Sequence, residues 1–301
     1  MARWTTILET IGNTPLLKLD RIADFPVYAK AEYLNPGGSI KDRVARHMID
    51  QAEKRGDLKP GMMIAEATSG NTGIGVTFVG VRKGYRVIIV MPDNMSEERR
   101  KIIRAFGGEL ICTPADESLN GCLKKLEELK REIPDFFIPG QFVNPDNPEI
   151  HYLTTAEEIW DQMEGRVDAF VAGVGSGGTL AGVGRFLKEK NPTVKIVAVE
   201  PANASALLGQ EPGFHRIEGI GDGFIPDVLD VSIVDDVITV TDDDAITTAQ
   251  RLTLKEGALV GTSSGANVWA AVECGKRMGS GKNIVTVLPD RAERYFSTAL
   301  I

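Results

Sequence analysis

Cysteine is scarce in this chain. Only Cys112, Cys122 and Cys274 occur among 301 residues, far apart, odd in number and without a C-x-x-C pair. That excludes a disulfide framework and denies zinc a thiolate set. Each thiol is expected to be a small buried apolar residue. The histidines, His47, His151 and His215, have no ligand spacing. Positive charge is in deficit, and the net charge of -8 speaks against nucleic acid or an anionic membrane as the main partner. It leaves room for a local positive pocket. No apolar run approaches the ~20 residues that cross a bilayer. The opening M-A-R-W-T-T-I-L-E-T has no apolar signal segment. Repeats and low-complexity linkers are absent as well. What is left reads as a cytoplasmic protein with reduced thiols, long enough for two packed domains or one large one.

What is present is an alternation of strand and helix patterns. Strands are expected at Val27 to Tyr33, Met63 to Ala67, Val87 to Met91, Glu109 to Thr113, Ala169 to Gly173, Lys195 to Glu200 and Ile284 to Leu288. Several are continuously apolar, such as V-I-I-V-M, which is the mark of strands buried on both faces of a parallel sheet. Helices are expected at Ser39 to Arg55, Thr72 to Lys83, Ser96 to Phe106, Leu119 to Ile133, Tyr152 to Met163, Gly178 to Lys190, Asp243 to Glu256 and Ser264 to Met278. Ser96 and the acids Asp242 to Asp244 are natural helix starts. The class is α/β, with open, mainly parallel sheets covered by helices on both faces. A boundary is expected near Gln141 to Pro148, where turn formers cluster.

Three stretches carry chemistry. P-G-G-S-I-K-D-R, from Pro36 to Arg43, puts Lys41 in the first turn of a helix. The positive helix end there disfavours an ammonium and helps release a neutral amine, a nucleophile towards an aldehyde. T-S-G-N-T-G, Thr68 to Gly73, follows a strand and gathers donors around one concavity, suited to a carboxylate. G-V-G-S-G-G-T, Gly173 to Thr179, lets backbone amides approach a phosphate at a helix start. Each has a plainer reading, as a solvated first-turn lysine or a capped turn. The third also resembles a dinucleotide fingerprint, with Glu200 ending the next strand where a ribose-binding acid would sit. A nicotinamide-dependent oxidoreductase is thus the rival reading, but it gives Lys41 and T-S-G-N-T-G no task. A phosphate-bearing aldehyde cofactor employs all three.

These motifs, with I-G-N-T-P-L at Ile11 to Leu16, M-P-D-N-M-S-E-E-R-R, Q-F-V-N-P-D-N-P-E-I-H-Y, G-T-S-S-G-A and E-R-Y-F-S-T-A-L at Glu293 to Leu300, resemble the cysteine synthase (O-acetylserine sulfhydrylase) and cystathionine β-synthase family over essentially the whole chain. The resemblance implies a pyridoxal 5'-phosphate enzyme of the tryptophan-synthase β fold, with the cofactor in a cleft between domains. It implies a smaller mobile domain at about 45–140 and a larger one from 1–44 and 141–301. Lys41 resembles the lysine that holds the cofactor and later removes the substrate α-proton. Gly175, Ser176, Gly177, Gly178 and Thr179 resemble the phosphate loop. Asn71 resembles the residue bonding the ring hydroxyl, and Ser263 the one facing the ring nitrogen, though Ser263 also reads as a helix N-cap. Thr68, Ser69, Gly70, Asn71 and Thr72, assisted by Gln141, resemble the substrate-carboxylate loop. Gly219 and Gly221 resemble the loop beside the substrate amino group. The implied reaction is β-replacement through an α-aminoacrylate, with O-acetylserine and sulfide giving cysteine and acetate. A homodimer is implied, and some family members dock the tail of a serine acetyltransferase in the cleft. A catalytically quiet binder of that tail is therefore the rival from another class.

One residue departs from the family pattern. In G-I-G-D-G-F-I-P the fourth position is Asp222, where a small neutral residue is usual. A carboxylate there repels a phosphorylated substrate. It can also act as a general base for water, hydroxyl or thiol chemistry at Cβ. That suits an enzyme releasing sulfide from cysteine to leave serine or lanthionine, or one making cystathionine. The plainer alternative is a solvent-facing loop acid. Ala156-Glu157 and Asp290-Arg291 are lesser departures without an evident sequence rationale.

Overall fold

The computed structural model describes residues 4–68, 70–133, 135–279, 281–298 and 300. Its elements run β1 Leu16–Lys18, β2 Val27–Lys30, α1 Lys41–Arg55, β3 Met63–Ala67, α2 Asn71–Arg82, β4 Arg86–Pro92, α3 Glu97–Ala105, β5 Glu109–Thr113, α4 Ser118–Glu132, β6 Phe136–Phe137, α5 Asp146–Ile150, α6 Ala156–Gln162, β7 Ala169–Gly173, α7 Gly178–Lys190, β8 Lys195–Pro201, β9 Asp236–Val240, α8 Asp242–Glu256, α9 Thr262–Met278 and β10 Ile284–Val287. The strands make two sheets, ordered β1-β2-β10-β7-β8-β9 and β5-β4-β3-β6. All neighbours are parallel except β1, which runs antiparallel to β2.

Burial on both faces explains the continuous apolar strands. In β7, Ala169 and Val171 join a core with Ala245 and Leu252 of α8 and Ala266 and Ala270 of α9. Phe170 and Ala172 point the other way, into a core with Ile159 of α6 and Leu180, Val183 and Leu187 of α7. In the second sheet, Ile64, Val87 and Ile89 pack with Ile49 of α1 and Ile74 of α2. Met63, Ile88 and Val90 pack with Leu126 and Leu129 of α4. Each fully buried large side chain contributes ~1.5–3 kcal/mol. The helix ends obey local rules: Gly56 and Gly257 close α1 and α8 at φ 78° and 69°. Thr241, one residue before the acids, caps α8 by accepting from Asp244 N at 3.2 Å.

Several expectations need correction. The strand from Val27 stops at Lys30, and a 3₁₀ turn, Glu32–Leu34, replaces its end. The helix expected from Tyr152 to Met163 starts earlier and changes pitch: α5 runs into a π-helical turn at His151–Thr155, which runs on into α6. Ser96 does not cap with its side chain; its hydroxyl donates to Arg294 O at 2.7 Å instead. Cys122 and Cys274 are buried as expected, but Cys112 is exposed, because β5 is an edge strand. Three short strands, β1, β6 and β9, escaped the pattern.

Both sheets reverse winding direction. β7, β8 and β9 step outward in one direction, and β10 then returns to the other side of β7. β3, β4 and β5 step one way, and β6 returns beyond β3. Such reversals leave a crevice at the carboxyl ends of the flanking strands. The cleft described next takes residues from beyond β3, β6, β7 and β10.

Candidate active site

An open cleft is lined by Lys41, Thr68, Gly70, Asn71, Thr72, Gln141, Gly175, Ser176, Gly177, Thr179, Gly219, Asp222 and Ser263, among others. Residues spread over two hundred positions of sequence thus share one cavity. Ser69 lies outside the described residues. Gly178 and Gly221 stand just behind the wall. A Cβ on Gly178 would sit 2.0 Å from Asn147 Oδ1, and one on Gly221 would sit 2.5 Å from Pro201 Cγ.

Lys41 is the first residue of α1. Its Nζ donates to Ser176 Oγ at 3.0 Å. Burial lowers its pKa to about 8, against the opposing pull of Asp222 and Asp290. The larger cause is therefore desolvation.

The glycine-rich turn after β7 is a close-packed cradle. Gly177 has φ +78°, a backbone setting that L side chains rarely adopt, and a Cβ on Gly175 would fall 2.2 Å from Gly219 O. Ser176 Oγ accepts from Asn147 Nδ2 at 3.0 Å as well as from Lys41. Thr179 Oγ1 lies 3.3 Å from His151 Nε2, and His151 Nδ1 lies 3.0 Å from Thr155 Oγ1. Burial holds His151 well below the usual imidazole range, so it bridges the two threonines as a neutral ring.

Opposite stands the turn after β3. Thr68 Oγ1 accepts from Gly70 N at 3.1 Å, and Thr72 Oγ1 donates to Gln141 Oε1 at 2.6 Å. Asn71 Nδ2 donates to Asp290 Oδ2 at 2.5 Å. Asn71 Oδ1 is buried in the cleft wall with no hydrogen-bond partner among the described residues. Ser263 is the second residue of α9, behind a Gly261 N-cap, so the N-cap reading fails. It is buried and lines the cleft.

Asp222 is reached by solvent through the cleft yet walled by protein. That enclosure raises its pKa, while Lys41 and His215 pull it down. Asp222 and Lys41 thus face each other as charges across the site.

The structure adds residues the sequence reading missed. Asp290, noted only as a departure, is buried and joins Asn71 to the Tyr295 hydroxyl. Arg99 of α3 pairs with Glu218 and lies over the Tyr295 ring at 4.7 Å. Asn147 ties Gln141 to Ser176. Buried polar types inside the quoted motifs were the available signal. Glu200, the rival's ribose-binding acid, is spent on its own turn, accepting from Ser205 Oγ at 2.5 Å and Leu207 N at 3.2 Å.

Pyridoxal phosphate offers an aldehyde, a phosphate and a ring hydroxyl. The residues fit it: a lysine with a depressed pKa, a glycine cradle at a helix start, and a buried amide oxygen without a donor. No helix among the described residues is long and apolar enough to cross a membrane. Those residues hold no cluster of metal-ligating side chains either.

Comparison with known proteins agrees with this geometry. The family model described as pyridoxal-phosphate dependent enzyme matches residues 7–290. A cysteine synthase of Staphylococcus aureus is 50% identical over 98% of this chain and 96% of that protein. An O-acetyl serine sulfhydrylase of Entamoeba histolytica superposes with a TM-score of 0.94 at 45% identity, covering 99% of this chain and 92% of the other. A hydrogen sulfide-producing enzyme of Fusobacterium nucleatum superposes with a TM-score of 0.95 at 44% identity, covering 98% and 100%.

Proposed function

The chain belongs to the pyridoxal-phosphate-dependent enzymes, and from that premise we propose that it performs β-replacement as a cysteine synthase, joining O-acetylserine and sulfide to give cysteine and acetate. The observation that carries this is the meeting of Lys41, the glycine cradle and the Thr68 turn in one cleft. Cysteine synthase relatives alike over the full chain support it. When bound, the cofactor supplies an electron sink that lets the α-proton leave and the β-substituent depart.

The chain's own residues do the rest. Lys41 would hold the cofactor through its aldehyde, and its Nζ, when free, would accept the substrate α-proton. Gly175 to Thr179 hold the phosphate with backbone amides and hydroxyls. Asn71 Oδ1 would accept from the ring hydroxyl. Ser263 would face the ring nitrogen with a neutral hydroxyl, which would not keep that nitrogen protonated and would favour prompt loss of the β-group. The Thr68 to Thr72 turn and Gln141 bind the substrate carboxylate. The unit at about 45–140 closes on it and excludes water. The enzyme works as a homodimer, and a serine acetyltransferase tail competes for the cleft.

Borohydride reduction of the holoenzyme followed by peptide mapping should place the label on Lys41. Lys41→Ala should lose turnover by orders of magnitude while keeping its far-ultraviolet circular dichroism. Label elsewhere would sink the assignment. Offering O-acetylserine, serine and cysteine separately and identifying the products then fixes the reaction.

One observation favours a second reading. Asp222 faces Lys41 across the cleft and titrates high for an aspartate. A base there helps a nucleophile add at Cβ after cysteine has lost sulfide, and a sulfide-producing enzyme is among the close structural relatives. Asp222→Asn should lower sulfide release from cysteine by ~10²-fold or more, with O-acetylserine chemistry affected much less. If the substitution leaves the cysteine reaction untouched, Asp222 is a loop acid and ordinary cysteine synthase chemistry stands.

A further inference from the structure

We propose that His215 is the positioning residue that aims Asp222, and through it sets how well cysteine competes with O-acetylserine as substrate. The inference rests on the reading of Asp222 given above. Asp222 is not held by its own side chain: its carboxylate accepts no hydrogen bond from the described residues, and only the charges of Lys41 and His215 act on it. Its direction is therefore set by the backbone that carries it.

That backbone is fixed at Gly221. The Gly221 N–H donates to Val174 O at 2.9 Å, tying the loop to the turn after β7. On the other side His215 Nε2 lies 3.0 Å from Gly221 O. A carbonyl only accepts, so Nε2 carries the proton and donates. The carbonyl it grips belongs to the peptide unit that ends at Asp222 N, so this bond orients the plane from which Asp222 departs. Gly221 has φ +75°, and a Cβ there would approach His215 Nε2 to 2.9 Å, so ring and loop lie in close contact. The flanking glycines Gly219 and Gly223 also have positive φ, 89° and 84°. A loop so rich in glycine gains little order from its own chain and needs an external tether. His215 is suited to that task. The stretch before it, Gln210 to Phe214, is exposed, whereas Ile217 is fully buried. The imidazole therefore reaches back from the last turn of an exposed segment to the loop that lines the cleft.

The test compares His215→Phe, His215→Gln, Asp222→Asn and the double variant His215→Phe/Asp222→Asn as holoenzymes. The kcat/KM is measured for sulfide release from cysteine and for O-acetylserine with sulfide, with the cofactor's visible absorbance as a check on the site. The glutamine Nε2–H can reach the Gly221 carbonyl as the imidazole does, whereas phenylalanine keeps the ring and loses the donor. His215→Phe should lower the cysteine-to-O-acetylserine ratio of kcat/KM about tenfold, and His215→Gln should restore it to within about threefold. The double variant should be no worse than Asp222→Asn alone, because the tether has nothing left to aim. If His215→Phe and His215→Gln behave alike, or both reactions fall together, His215 is packing and the proposal is overturned while Asp222 keeps its role. If Asp222→Asn itself leaves the cysteine reaction unchanged, the reading of Asp222 fails, and the proposal fails with it by a different measurement.

Discussion

At Lys41, burial lowers the ammonium's pKa to about 8 while the charges of Asp222 and Asp290 oppose the shift. Below that value the side chain is mainly the cation; above it the nucleophilic free amine dominates. Condensation of the apoenzyme with pyridoxal phosphate should therefore accelerate about tenfold between roughly pH 7 and pH 9, as the neutral fraction rises. Stopped-flow absorbance across that range checks it, and a rate still climbing steeply above about pH 10 would show an unshifted lysine. The place of Lys41 in the cleft was legible because its motif is local. Asp290 was not, since its meaning lies in Asn71 and Tyr295, reached through hydrogen bonds that sequence spacing does not reveal. Ser263 was half legible: the residue faces the cleft, but the cap assigned to it belongs to Gly261.

At the scale of elements, strands buried on both faces announced themselves, and β3 and β7 fall where their apolar runs predicted; the half-exposed edge strand β5 was found as well. The edge strands β1, β6 and β9 were not, because a half-exposed edge needs no continuous apolar run. The π-helical turn at His151–Thr155 was also hidden. It sets His151 between Thr155 and Thr179, a task that helical periodicity does not encode. The glycine cradle was read as permissive backbone, whereas its stricter requirement is space. A methyl on Gly175 would meet the Gly219 carbonyl at 2.2 Å, a backbone atom that cannot swing away. Gly175→Ala should thus cost ~1–3 kcal/mol of stability, and should weaken cofactor retention more than it lowers the chemical denaturation midpoint. Dialysis against phosphate buffer with and without the substitution separates the two effects.

For the whole molecule, the two sheets were expected as two domains, and the division at 141 falls between β6 and α5. What spacing could not supply is the set of contacts between them, which includes the Asn71–Asp290 and Ser96–Arg294 hydrogen bonds and one buried ion pair. Arg99 on α3 is buried and pairs with Glu218, which precedes the loop of Asp222. Glu218→Ala would strand a buried guanidinium, a loss of ~3 kcal/mol or more. Urea unfolding should show that loss, while Arg86→Ala, whose exposed pair with Glu109 is on the surface, should change stability by under ~1 kcal/mol. Similar values for both would mean that Arg99 contributes no more than a surface pair. Sedimentation should show a dimer at micromolar concentration. An active monomer would remove that part of the proposal.

The order of strands also sets a timetable for biosynthesis. β10 sits between β2 and β7, pairing Ile284 with Val27 on one side and with Ala169 on the other. A ribosome therefore delivers both neighbours long before the strand that joins them. Until residue 287 clears the exit tunnel, β2 and β7 border an empty lane, and the wall beyond β10 that carries Asp290 does not exist. The smaller sheet, complete at β6, has no such wait. Nascent chains halted near residue 280 should accordingly protect the 63–137 region from protease yet capture no pyridoxal phosphate, because β10 and the wall that carries Asp290 are what convert a half-built scaffold into a binding site.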